Sequence, residues 1–207
     1  MTVKSLLRLA FLALSGFGLT DVADAHPHVW VTMTSEVVYA PDGSVTGVRH
    51  AWQFDDMFST FATQGIEAKK KGEFTRQELA PLAEVNVTSL KEFDYFTYAK
   101  ANGKKTPFGP PVDYFLEYKD NLLTLHFTLP FKTPVKTQNL DVEMFDPSYF
   151  VDFSFAEKDP VKLVSAPDAC KLAIAKPADA STLPPPGENL ANNYGSQFAN
   201  KILVKCP

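Results

Sequence analysis

Apolar side chains recur at every second position through most of this chain. That spacing constrains the fold most strongly, because only a strand puts residues i, i+2 and i+4 on one face. Val29, Val31 and Met33 share one face of the first run, with His28, Trp30 and Thr32 on the other. Asp42-Gly43 then marks a hairpin turn. "SVTGVRHAWQF" puts Val48, His50, Trp52 and Phe54 on one apolar face. "NLLTLHFTLP" does the same for Leu123, Leu125, Phe127 and Leu129, leaving His126 opposite with Thr124 and Thr128. Shorter runs predict strands at 95–100, 112–118, 140–145, 149–156, 161–164, 170–175 and 202–206. Many short strands separated by turn signals predict a mainly β, sandwich-like fold.

Residues 56–92 break the alternation and predict a helical insertion. Met57, Phe58, Phe61 and Ile66 form one apolar stripe. Thr75 with Glu78 three residues on is a capping-box signature for a second helix carrying Leu79, Leu82 and Leu90. Pro81 is expected to kink or restart it. Residues 176–193 are rich in Pro, Ala and Asn and predict a surface loop, since "PPPG" cannot pair into a sheet.

Residues 1–25 read as a secretory signal. Lys4 and Arg8 precede an apolar run, and Ala23-Asp24-Ala25 is a small-x-small cleavage site. The expectation is a periplasmic protein consisting of one domain, residues 26–207. Its Cys170 and Cys206 are then expected to form a disulfide in an oxidising compartment. The formal net charge of −4 offers no basic footprint for nucleic acid. Aromatic content of 13% against 21% charged favours an ordered core over a disordered binder.

Cleavage after Ala25 would make His26 the first residue. Its α-amine and ring nitrogen can chelate one ion, and such nitrogens suit Zn, Cu, Ni and Co rather than Mg or Ca. His28 points to the same side as His26 in an extended chain. Pro27 has no backbone N–H, which disfavours a square-planar copper or nickel site built on a deprotonated amide. His50 reads either as a further ligand, close to residues 28–32 across the hairpin, or as a hydrogen-bonded core residue. Asp146 in "FDPSYF" reads either as a ligand or partner to the metal site, or as a turn residue before Pro147. His126 is expected at the surface.

"EAKKKGEFTRQE", residues 67–78, follows EF-hand spacing, with Gly72 at loop position six and Glu78 at twelve. Lys69 and Lys71 stand where calcium needs oxygen ligands, so no calcium is expected. No nucleophile elbow, zincin helix or phosphate-binding glycine loop is present, and no enzyme activity is expected.

Several segments together carry a family likeness: "HPHVWV", "VRHAWQFDDMFS", "LKEFDYFTYAK", "LTLHFTLP", "FDPSYF" and "NYGSQFANKILVKCP". The chain resembles the domain of unknown function 1007 family of bacterial periplasmic proteins, which includes ZevA-like zinc-acquisition proteins. The resemblance implies a metal-handling accessory of a nickel/cobalt-type membrane permease, or the periplasmic component of an uncharacterised ABC-type transport system. Relatives carry an acidic Asp-x-Asp-x-Asp-Gly loop where this chain has Lys69 and Lys71, so any calcium role of theirs does not carry over. The leading expectation is a transition-metal binder using His26 and His28, with His50 and Asp146 as further candidates. A copper-dependent redox protein with an amino-terminal histidine chelate and a metal-free adaptor are the alternatives.

Overall fold

A computed structural model describes residues 27–70, 72–177 and 194–207. Residues 1–25, expected to be a signal, together with His26, Lys71 and most of the Pro-rich stretch, lie outside these residues.

The alternating runs form two sheets. β1 (Val29–Tyr39) and β2 (Val45–Phe54) make the expected hairpin. Its turn is held by the Asp42 carboxylate, which accepts from the Ser44 N–H at 2.9 Å, while Gly43 takes φ +79. Two helices follow, α1 (Asp56–Ala62) and α2 (Arg76–Leu90), and a 3-10 turn spans Lys91–Phe96. The remaining strands are β3 (Thr97–Ala101), β4 (Lys104–Lys105), β5 (Val112–Lys119), β6 (Leu122–Val135), β7 (Asn139–Met144), β8 (Val151–Phe155), β9 (Val161–Val164), β10 (Lys171–Ala175) and β11 (Asn200–Lys205). The first sheet runs β5-β6-β2-β1-β8, with β9 also pairing β1. The second runs β10-β11-β7-β3-β4. The fold is therefore mainly β, as the alternation predicts.

Inward faces of both sheets supply one contiguous core. Met33, Trp52, Leu125 and Phe127 come from the first sheet, and Leu140, Val142, Met144 and Ile202 from the second. Each is at most 1% exposed. Burying a side chain of this size is worth about 1.5–3 kcal/mol, so this stack dominates stability.

The helical segment differs from expectation in its packing. Of the predicted stripe, Phe58 and Ile66 pack against the core, whereas Met57 and Phe61 are 62% and 70% exposed, so only half of it faces inward. The physical reason is length: α1 has seven residues, and its cap, Phe58 and the buried Ser59 hold it to the sheet while the far side stays in solvent. Asp55 accepts from the Phe58 N–H with one oxygen and from the Trp30 N–H with the other, tying α1 to β1. The capping box at Thr75 and Glu78 is present, and α2 buries Leu79, Ala83 and Val87. Pro81 lies inside α2, which continues through it.

The disulfide joins Cys170 to Cys206 with Sγ atoms 2.06 Å apart. Lys171 pairs with Lys205, so the two cysteines lie side by side just beyond the paired strands β10 and β11.

Candidate functional site

His28 is exposed and immediately precedes β1. Its N–H donates to the Phe150 carbonyl at 2.9 Å, and its ring lies 4.8 Å from the Phe150 ring. From there β1 runs parallel to β8, with Val29 opposite Val151. The chain leaving His28 is therefore directed by the loop ahead of β8.

Asp146 shapes that loop. It is only 4% exposed. Its Oδ1 accepts from the Ser148 N–H and hydroxyl, both at 2.8 Å, and its Oδ2 accepts from the Val151 N–H at 3.0 Å. Three donors closing on one carboxylate make a rigid turn. Asp146 thus acts on His28 through Phe150 and Val151, as a positioning residue.

A third segment locks the same turn. Gly195, in the 3-10 turn Tyr194–Phe198, donates its N–H to the Pro147 carbonyl at 2.9 Å. A Cβ at this position would fall 1.5 Å from the Asp146 carbonyl oxygen, so only glycine permits the approach. The Tyr149 and Phe198 rings stack at 3.8 Å beside it. Residues 28–29, 146–151 and 194–198 are far apart in sequence and meet at this one end of the molecule.

His50 is elsewhere. The hairpin register pairs it with Ser35, seven residues along β1 from His28. At about 3.3 Å per strand residue that is on the order of 20 Å. The expectation that His50 lies near residues 28–32 is corrected by this register. The imidazole is 1% exposed, between the rings of Trp52 and Phe127 at 5.5 and 5.1 Å. Its Nδ1 is 2.8 Å from the Ser35 hydroxyl and its Nε2 3.4 Å from the Thr97 hydroxyl. Thr97 donates its own proton to the Tyr95 carbonyl at 2.9 Å. The network therefore assigns the proton to Nε2 and leaves Nδ1 to accept from Ser35. Burial pushes the His50 pKa down to about 3. This neutral histidine joins β1, β2 and β3 across the two sheets, with both ring nitrogens engaged.

His126 stays on the outer face of β6. It is half-buried, stacked on Phe115 at 4.5 Å, with Nε2 3.4 Å from the Glu117 carboxylate. At residues 67–78, Glu78 accepts from the Lys69 N–H at 2.8 Å and the Thr75 N–H at 2.7 Å. Those backbone bonds hold its carboxyl at about 2, well below the ordinary carboxylate value. The glutamate serves as a cap for α2, with its lone pairs turned to backbone.

Among the described residues, no three His, Cys, Asp or Glu side chains are grouped to hold a metal ion. His26 lies outside them. Ser35, Thr97, Phe150 and Gly195 were not singled out by sequence. Ser35 had a readable signal, because it shares the inward parity of Val31, Met33 and Val37.

One family model matches most of the chain. The profile described as protein of unknown function (DUF1007) matches residues 11–206. An uncharacterised protein of Haemophilus influenzae is 25% identical over 193 residues, spanning 88% of this chain and 91% of its own length. An uncharacterised 15.5 kDa protein of Spirochaeta aurantia is 30% identical over 112 residues, spanning 53% of this chain and 79% of its own length. With nearly all of its described residues inside the matched span, the chain belongs to the DUF1007 family of proteins of unknown function.

Proposed function

We propose that this protein is a periplasmic transition-metal binder, with zinc as the first candidate and nickel, cobalt or copper as chemically similar ones. It works as an accessory to a nickel/cobalt-type membrane permease. The observation that carries the reading is the position of His28. It stands exposed at the end of β1, two residues from the amine that cleavage after Ala25 would create. The ligands are the α-amine and ring of His26 together with the ring of His28. Amine and imidazole nitrogens are borderline donors that suit these ions. Asp146 supports the site by holding the loop whose carbonyl fixes the His28 backbone. His50 is left out of the ligand set, since burial and two hydroxyl partners account for it. No calcium is proposed at residues 67–78.

The permease partnership and the zinc specificity rest on the resemblance to ZevA-like proteins. The site is tested with mature protein purified from the periplasm. Intact mass reports the first residue, and competition titration reports zinc affinity with and without one extra residue before His26. The reading expects the extra residue to weaken binding at least tenfold. Unchanged affinity removes the α-amine from the ligand set. Copper-dependent peroxide turnover by the same sample would replace this reading with a redox one.

A further inference from the structure

Asp55, Asp146 and Asp152 all stand beside the segments that carry His28 and Phe150, and the fold spends the first two on backbone. Asp55 gives one oxygen to the Trp30 N–H and the other to the Phe58 N–H. Asp146 gives both oxygens to donors of its own turn. Asp152 is different. It is half-buried, yet no hydrogen bond or ion pair among the described residues engages its carboxylate. Burial pushes its carboxyl up from the ordinary value, with no donor or cation acting against it.

The register puts Asp152 on the face that His28 takes. β1 and β8 run parallel, with Trp30 opposite Asp152 and Val31 opposite Phe153. Val31 and Phe153 are buried in the core, so Trp30 and Asp152, one residue earlier on each strand, face outward. His28 lies two residues before Trp30, and Phe150 two before Asp152. The His28 and Phe150 rings meet at 4.8 Å. These four residues therefore form the corners of one outer patch, with His28 and Asp152 on a diagonal. Diagonal neighbours on a sheet lie roughly 7–8 Å apart. An imidazole and a carboxylate, each with a metal bond of about 2 Å, span that gap.

The fold gains nothing from a charge at this position. A carboxylate that gives up water and finds no partner costs stability. The next outward pair on the same two strands, Thr32 and Ser154, is neutral. A divalent ion changes the balance. It supplies the missing partner, and the carboxylate offsets part of its charge, which neutral nitrogens cannot do. Aspartate oxygen is an ordinary zinc ligand beside imidazole. Copper(I), which favours thiolate and thioether sulfur, gains least from it.

We propose that Asp152 is a further ligand of the transition-metal site, joining His28 across the outer face of the first sheet. The inference rests on the metal reading of the amino terminus, in which His26, outside the described residues, supplies the other donors. It divides the work between two carboxylates: Asp146 positions the loop, and Asp152 meets the ion.

The test compares mature wild-type protein with Asp152→Asn, which keeps the shape and removes the charge. Stripped of metal, the variant is expected to melt at the wild-type temperature or higher, because a desolvated, unpaired carboxylate has gone. Its zinc affinity by competition titration falls at least tenfold. The loss persists at high salt, which screens distant charges but not a coordination bond. With cobalt(II) in place of zinc, the visible absorption bands change position or intensity, as a changed ligand set requires. Asp152→Ser repeats the measurements with a second neutral side chain, the type already found at position 154. Full zinc affinity in both variants, beside a wild type that binds zinc, overturns this inference and leaves the metal reading standing. A wild type that takes up neither zinc nor cobalt removes both. Metal-free variants that melt lower assign the carboxylate to the fold, and a loss that high salt abolishes reduces it to a distant charge; either result overturns the proposal.

Discussion

His50 faces Ser35 across the β1–β2 pair, and the Ser35 hydroxyl lies 2.8 Å from its Nδ1. With Thr97 on the other nitrogen, one imidazole connects the first sheet to the second. A histidine placed this way is a structural polar group kept neutral by its surroundings, and it makes stability depend on pH.

The sign follows from the two pKa values. Burial holds the folded-state value at about 3, against 6.5 for the free side chain. Between those values the unfolded chain binds a proton that the folded one does not. The His50 contribution is therefore fully present above about pH 6.5 and is lost as pH falls toward 3, at up to ~1.4 kcal/mol per pH unit. Urea midpoints measured from neutral pH down to about pH 5 are expected to show this slope. His50→Gln is less stable throughout but has a flatter profile. Parallel profiles in the two proteins would assign the slope to other groups.

Opening the Cys170–Cys206 bridge is expected to cost about 2–4 kcal/mol, mainly by freeing the unfolded chain. The bridge closes a loop with a sequence separation of 36. The double variant Cys170→Ser with Cys206→Ser should lower the urea midpoint accordingly. A reducing agent should reproduce the shift in the native protein and leave the double variant unmoved.

Gly195→Ala places a methyl group where the Asp146 carbonyl already stands. Overpacking of this kind costs about 1–3 kcal/mol and forces the backbone to move. The variant is expected to melt lower, with the Tyr149–Phe198 stack disturbed. A wild-type melting temperature would mean that the 3-10 turn does not press on residues 146 and 147.

His28→Ala and Asp146→Asn separate ligand from support. The first is expected to weaken zinc binding at least tenfold with little change in stability, because His28 is exposed. The second leaves at least one of three part-buried donors to the carboxylate without its acceptor, at about 1–3 kcal/mol. It also weakens zinc by roughly tenfold, as loss of an outer partner commonly does. Competition titration beside thermal melts reads both. A destabilised Asp146→Asn that keeps full zinc affinity would confine Asp146 to the fold.

Much of the architecture was legible in the alternation. The inward faces of β1, β2 and β6 match the parity read from Val31, Trp52 and Leu125. The capping box at Thr75 located the start of α2 because its signal is local and chemical. The stripe on α1 held for Phe58 and Ile66 but not for Met57 and Phe61, because periodicity reports which side chains share a face, whereas burial needs a neighbour to cover it. Met57 and Phe61 have none among the described residues that buries them.

The position of His50 was within reach and was misjudged. Counting back from a turn centred on Asp42-Gly43 already puts Ser35 beside it, and the structure keeps that register despite an irregularity at Val38/Tyr39. Alternation tells which face a residue takes; only the turn tells which residue it meets.

The sequence by itself determined the β-rich class, the hairpin, the cap of α2 and the His26–His28 spacing, since each depends on residues a few positions apart. Tertiary structure alone decided that Thr97 closes on His50 and that Asp146, Phe150 and Gly195 gather beside His28. These contacts join segments separated by tens of residues. They depend on how two sheets stack and which strands become neighbours, and no local pattern encodes that choice.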